Sequence, residues 1–108
     1  MLNMTKLDTR YFSPRVLQAV PTDNFEVYAY LNDGSIRLYN AKPLLKKNTV
    51  FEPLMEIQTF KDTLTVMNET IAWDMEGNRD PYKCIDIDPF EIFEEKPVAD
   101  PLAGEMAQ

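Results

Sequence analysis

The chain has no histidine, one cysteine, two serines and three glycines in 108 residues. Without histidine it lacks the side chain most often used as general base and metal ligand near neutral pH. Cys84 stands alone, so it cannot close an internal disulfide, and no histidine is present to draw off its proton. It reads as a small packed residue in a reducing cytoplasm. Ser13 precedes a proline and Ser35 sits in a turn, and neither has a base nearby in sequence. No phosphate-binding loop, dinucleotide fingerprint or zinc cluster is present. Apolar runs are only a few residues long, too short for a transmembrane helix. The first residues lack the apolar stretch of a signal peptide, so the expectation is a cytoplasmic protein with no cofactor and no catalytic centre.

What is present is charge of one sign, unevenly placed. The formal net charge is −7. Acids and bases cancel over residues 1–73, and the whole excess falls in residues 74–108. Such a field repels phosphate backbones and attracts basic surfaces, which argues against direct nucleic-acid binding through the last third; the expected partner, a protein or a second copy through self-association, is read from the aromatic face below.

Residues 1–13 read as an N-terminal arm, 14–96 as a single domain and 97–108 as an acidic tail. Arg15 to Val20 reads as a strand closed by Pro21, with a turn at Thr22, Asp23 and Asn24. Phe25 to Leu31 and Ile36 to Tyr39 alternate around Asn32-Asp33-Gly34-Ser35. Asp-Gly between alternating runs signals a hairpin with a two-residue turn. That register sets Leu31 against Ile36, Tyr30 against Arg37 and Tyr28 against Tyr39. It gives an apolar face of Phe25, Val27, Ala29, Leu31, Ile36 and Leu38, and an opposite face of Glu26, Tyr28, Tyr30, Arg37 and Tyr39. A short helix follows at Ala41 to Lys47, then a connector at Val50 to Leu54 and a helical turn leading to Phe60. A second hairpin, Thr63 to Met67 and Thr70 to Trp73, pairs Val66 with Ile71 and Leu64 with Trp73 across Asn68-Glu69. Asp88-Pro89-Phe90-Glu91 has an acid cap, proline at the first position and glutamate at the third, so it starts a helix that Pro97 ends.

Two acidic patterns carry little chemistry. Asp74, Glu76 and Asn78 match the first, third and fifth positions of a calcium loop, but Arg79 and Ile85 stand where glycine and glutamate are required. The remaining acids of that loop are read as solvated.

The surface of interest is the face bearing Tyr28, Tyr30, Arg37 and Tyr39, residue types enriched at binding hot spots. In the tail, Val98, Leu102 and Met106 recur every four positions, a pattern that suits folding on a partner.

Several motifs in order resemble a known family. They are Pro14-Arg15-Val16, Gly34, Leu44-Leu45, Val50-Phe51 with Leu54, Phe60, Thr70-Ile71-Ala72-Trp73 and Asp86-Ile87-Asp88-Pro89. The chain is similar, over about residues 14–94, to a bacterial family of small domains of unknown function, numbered two-four-four-two. It departs at Asn40, where the family usually carries an acid, and in a longer loop from Asp74 to Cys84. The resemblance implies an α+β domain. Some members precede a helix-turn-helix domain, and some are proposed as antitoxin partners of small toxins.

The resulting expectation is an α+β fold: a small, mainly antiparallel sheet of four or five strands, built from two hairpins, with short helices. Its core would hold Phe25, Val27, Leu31, Ile36, Leu38, Leu45, Phe51, Leu54, Phe60, Val66, Ile71, Trp73 and Phe90. The expected function is non-catalytic protein binding, with an antitoxin-like partnership to a small basic toxin. The alternative is a small-ligand or regulatory sensor domain with a pocket between sheet and helices.

Overall fold

A computed structural model describes residues 13–102. Met106 and nearly all of the expected N-terminal arm lie outside the described residues. The strands are β1 (Val16–Pro21), β2 (Glu26–Leu31), β3 (Ile36–Asn40), β4 (Leu64–Met67), β5 (Thr70–Trp73) and β6 (Ile85–Asp86). The helices are α1 (Ile57–Thr63) and α2 (Pro89–Phe93), with short 3-10 turns at Lys42–Leu44 and Glu52–Met55.

The class is α+β, but the expected single sheet of four or five strands is two antiparallel sheets of three, β1-β2-β3 and β4-β5-β6. The difference has two causes. Ile85 and Asp86 add a third strand by pairing with Trp73 and Ala72. The helical segment from Lys42 to Thr63 separates the two hairpins in the chain, so β3 and β4 do not pair. The sheets meet where the Val16 amide donates to the Glu69 carbonyl at 2.8 Å.

Local chemistry accounts for the helix starts. Glu56 caps α1: its carboxylate accepts from the amides of Gln58 and Thr59 and from the Thr59 hydroxyl at 3.0, 2.9 and 2.8 Å. Those bonds hold the Glu56 carboxyl below its usual range. Asp88 caps α2 through the Phe90 amide at 2.9 Å, with Pro89 at the first helical position, as the sequence predicts.

One core joins both sheets. Phe60 of α1 lies at its centre, with the Phe25 ring edge-on at 5.3 Å and the Trp73 indole tilted at 5.4 Å. Val27, Ala29, Leu31 and Tyr39 enter from the first sheet, Ile71 and Trp73 from the second, and Leu54, Ile87 and Ile92 from the connections. Of the expected core, Val27, Leu31, Leu54, Phe60, Ile71 and Trp73 are buried, and Phe25, Leu45, Phe51 and Val66 are half-buried against it. Phe90 is instead 46% exposed, because Ile92 is the buried residue of α2.

One hairpin keeps the expected register and the other does not. Asn68 and Glu69 both take positive φ, 55° and 63°, so the second hairpin turns in two residues and pairs Leu64 with Trp73 and Val66 with Ile71. The first hairpin does not. The Gly34 amide donates to the Leu31 carbonyl and the Leu31 amide to the Ser35 carbonyl. Three residues, Asn32 to Gly34, therefore form the loop, with only Gly34 left-handed at φ 87°. The Asp33 carboxylate secures it by accepting from the Ser35 amide and hydroxyl at 2.9 and 2.6 Å. The register moves by one residue: Tyr30 faces Ile36, Ala29 faces Arg37, Tyr28 faces Leu38 and Val27 faces Tyr39.

The turn between β1 and β2 has related geometry with a costlier residue. The Thr22 amide donates to the Glu26 carbonyl, and Phe25 holds φ 58°. A left-handed phenylalanine costs about 1–2 kcal/mol, offset here by its contact with Phe60. Phe25→Ala should destabilise the domain by about 2 kcal/mol, because it loses the ring and keeps the strained backbone. Phe25→Gly should cost about 1 kcal/mol less than alanine, since glycine adopts that φ freely. Urea unfolding of the two variants measures the difference; equal losses would show that the turn stores no strain.

Candidate interaction surface

Because successive residues of a strand point to opposite sides, the one-residue shift divides the expected surface. Arg37 and Tyr39 fall on the core side with Val27, Ala29 and Leu31, and all five are buried. Tyr28 and Tyr30 fall on the outer side, half-buried, beside Ile36 and Leu38, which were expected in the core. Arg37 and Tyr39 thus do not share a face with Tyr28 and Tyr30.

Arg37 is 9% exposed and held from several sides. Its guanidinium donates to the carbonyls of Phe93 and Glu95 at 2.8 and 2.6 Å and to the Ser35 hydroxyl at 3.0 Å. It lies 4.6 Å from the centre of the Phe93 ring and 3.7 Å from the Asp33 carboxylate. Carbonyls at the end of a helix carry partial negative charge, so this is a suitable place for a buried cation. Burial pushes the Asp33 carboxyl upward, but the Ser35 bonds and the Arg37 charge outweigh it and hold the group below its usual range. Tyr39 is pushed up to about 12 by burial and by the charges of Glu91 and Glu95.

The chain beyond α2 returns to the first sheet as a strap. Pro97 sits opposite Arg37 in an antiparallel bridge, and the Val98 amide donates to the Ile36 carbonyl at 2.8 Å. The Tyr30 hydroxyl donates to the Asp100 carboxylate at 2.7 Å, and the Leu102 amide donates to the same oxygen at 2.8 Å. Burial, then the bond and the charge of Asp100, push Tyr30 up to about 12. Val98 and Leu102 remain 37% and 39% exposed. The outer face therefore brings together Tyr28, Tyr30, Val98 and Leu102 of the expected site. Sequence reasoning missed Asp100, Ile36 and Leu38. The Asp-Pro pair at 100–101, which starts a helical turn, was the available signal for Asp100.

The 74–84 loop is stapled by its own acids. Both Asp74 carboxylate oxygens accept backbone amides, from Gly77 at 3.1 Å and Arg79 at 2.8 Å. The Asp80 carboxylate accepts the Tyr82 amide at 2.9 Å. Among the described residues no group of three or more acidic or cysteine side chains is placed to hold a metal. An open depression is lined by Lys47, Thr49, Glu52, Pro53, Met55 and Glu56, so it lies along the 3-10 segment rather than between sheet and helices. No helix among the described residues is long and apolar enough to cross a membrane. Comparison of the chain with protein-family models, curated proteins and solved structures finds no match.

Two measurements check this geometry. Arg37→Ala should destabilise the domain by about 3 kcal/mol, because it takes the donor from the Phe93 and Glu95 carbonyls and removes the cation over Phe93. Arg37→Lys should recover only part of that loss, since lysine has no planar fork; full recovery would refute the role given to the guanidinium shape. For the tyrosines, a folded pKa above the ordinary 10.0 means that the contribution to stability is intact below pH 10 and lost as pH rises toward 12. Tyr30 and Tyr39 should titrate late in an ultraviolet pH titration, and Tyr30→Phe should remove one of these late steps.

Proposed function

We propose that this domain is a non-catalytic, cytoplasmic protein-binding module of the antitoxin-like kind, whose partner is a small basic protein. The observation that carries the reading is the composite outer surface. Tyr28 and Tyr30 stand beside the strap, where Val98 and Leu102 present large apolar side chains to solvent. Aromatic and apolar anchors within a polar rim are what a protein interface needs. The acidic excess of residues 74–108, with Asp88, Glu91, Glu94 and Glu95 exposed along and just beyond α2, complements a basic partner and speeds encounter. The toxin-partner reading itself comes from the resemblance to family two-four-four-two.

The test is affinity capture from the native host with the full chain. A stoichiometric small basic protein should be retained, released progressively by salt, and lost from the Tyr28→Ala and Leu102→Ala variants. Retention unchanged by both substitutions would remove this surface from the interface. Capture of no basic protein would remove the reading.

A further inference from the structure

We propose that the Asp33–Gly34 bond is a self-modification site of this chain, closed in the folded hairpin and open whenever that hairpin comes apart. The product is isoaspartate: the main chain is rerouted through the Asp33 side chain, with water as the only other reactant.

The sequence supplies the reactive pair once. Of all the aspartates and asparagines, only Asp33 is followed by glycine. A nitrogen that attacks the side chain of the residue before it must approach closely, and glycine has no Cβ to stand in the way. The pair sits at the exposed tip of the first hairpin. A Cβ on Gly34 would meet nothing within 4 Å, so water reaches the bond.

The step balances without an oxidant or cofactor. The Gly34 nitrogen attacks Cγ of the neutral Asp33 carboxyl group. An N–Cγ bond forms, the bond from Cγ to the hydroxyl breaks, and the hydroxyl leaves as water with the proton of the Gly34 amide. The ring that results, a succinimide, has two carbonyls. Water adds at one of them and the C–N bond there breaks. Opening at Cγ restores aspartate; opening at the main-chain carbonyl leaves Gly34 joined to the side chain. The mass of the chain is unchanged.

The folded hairpin withholds each requirement. Cγ is not free to swing toward Gly34. One carboxylate oxygen accepts from the Ser35 amide and hydroxyl at 2.9 and 2.6 Å, and the other lies 3.7 Å from the Arg37 guanidinium. The Ser35 hydroxyl is held in turn, accepting from Arg37 Nε at 3.0 Å. The proton that must leave is engaged, because the Gly34 amide donates to the Leu31 carbonyl at 3.0 Å. The neutral acid is scarce, since burial, which favours it, is outweighed by the Ser35 bonds and the Arg37 charge. Opening of the hairpin removes all three guards together.

Refolding does not undo the change. Isoaspartate adds one carbon to the backbone of a three-residue loop and moves the carboxylate away from the Ser35 donors. Arg37, which holds the Phe93 and Glu95 carbonyls, then loses the Asp33 carboxylate. A chain that has opened therefore carries a lasting mark where its first sheet meets α2.

The experiment incubates full-length protein at one pH and temperature, in buffer and in unfolding urea, and counts isoaspartate at residue 33 by peptide mapping and fragmentation mass spectrometry. Isoaspartate should build up in urea and form at least about tenfold more slowly in the folded protein, because each event waits for an opening. Ser35→Ala should speed the folded reaction about threefold or more, as expected for the loss of one hydrogen bond, and leave the urea rate unchanged. Gly34→Ala should slow the reaction in urea, since its Cβ hinders the attack. Equal rates with and without urea, no isoaspartate in either, or a folded Ser35→Ala protein that isomerises no faster than wild type overturns the inference. The comparison in and out of urea uses the wild-type chain alone, so it decides the matter whatever the variants do to folding.

Discussion

A buried guanidinium organises this domain. Arg37 comes from the middle of a hairpin strand and lies on the core side, where an uncompensated charge would cost several kcal/mol. The fold compensates by ending α2 against it, so that carbonyls which would otherwise need solvent meet a cation. The Phe93 ring and the Asp33 carboxylate complete the enclosure. Everything downstream follows from that grip. It fixes where α2 stops, where the chain turns, and hence where Pro97 meets the edge of β3. The outer surface is in this sense built from the inside.

How much of this was legible in the sequence can be argued residue by residue. The class, both hairpins and the start of α2 were readable, because Asp-Gly, Asn-Glu between alternating runs, and Asp-Pro are local signals that tertiary contacts did not override. The register of the first hairpin was not. Ile36-Arg37-Leu38-Tyr39 is amphipathic in either phase if arginine and tyrosine can be satisfied inside. Arg37 finds its partners more than fifty residues away, which no local pattern reveals. The same one-residue shift explains why Ile36 and Leu38 left the expected core while Arg37 and Tyr39 took their place. Phe90 and Ile92 lie two apart on a five-residue helix too short for its buried side to be read from periodicity.

The candidate surface was half legible for the same reason. The tyrosines were recognised by residue type, and the tail by its four-residue repeat. Their meeting depends on the path of the chain after α2. Charge placement was the most robust inference, since it needs no register, and the acids of α2 do stand exposed. The acids of the 74–84 loop serve a different end. Asp74 and Asp80 spend their oxygens on neighbouring amides, so part of the negative charge visible in the sequence is structural mortar.

The route of the strap also sets how the domain yields to mechanical load. A pull on the C-terminal end acts on Asp100 and then on Val98 in turn, so the strap peels off one bond at a time rather than shearing as a unit. Peeling then reaches Glu95 and Phe93, where two carbonyls share one guanidinium. That grip is a mechanical stop. Residues 98–102 are thus drawn away from the sheet before the core beneath is loaded.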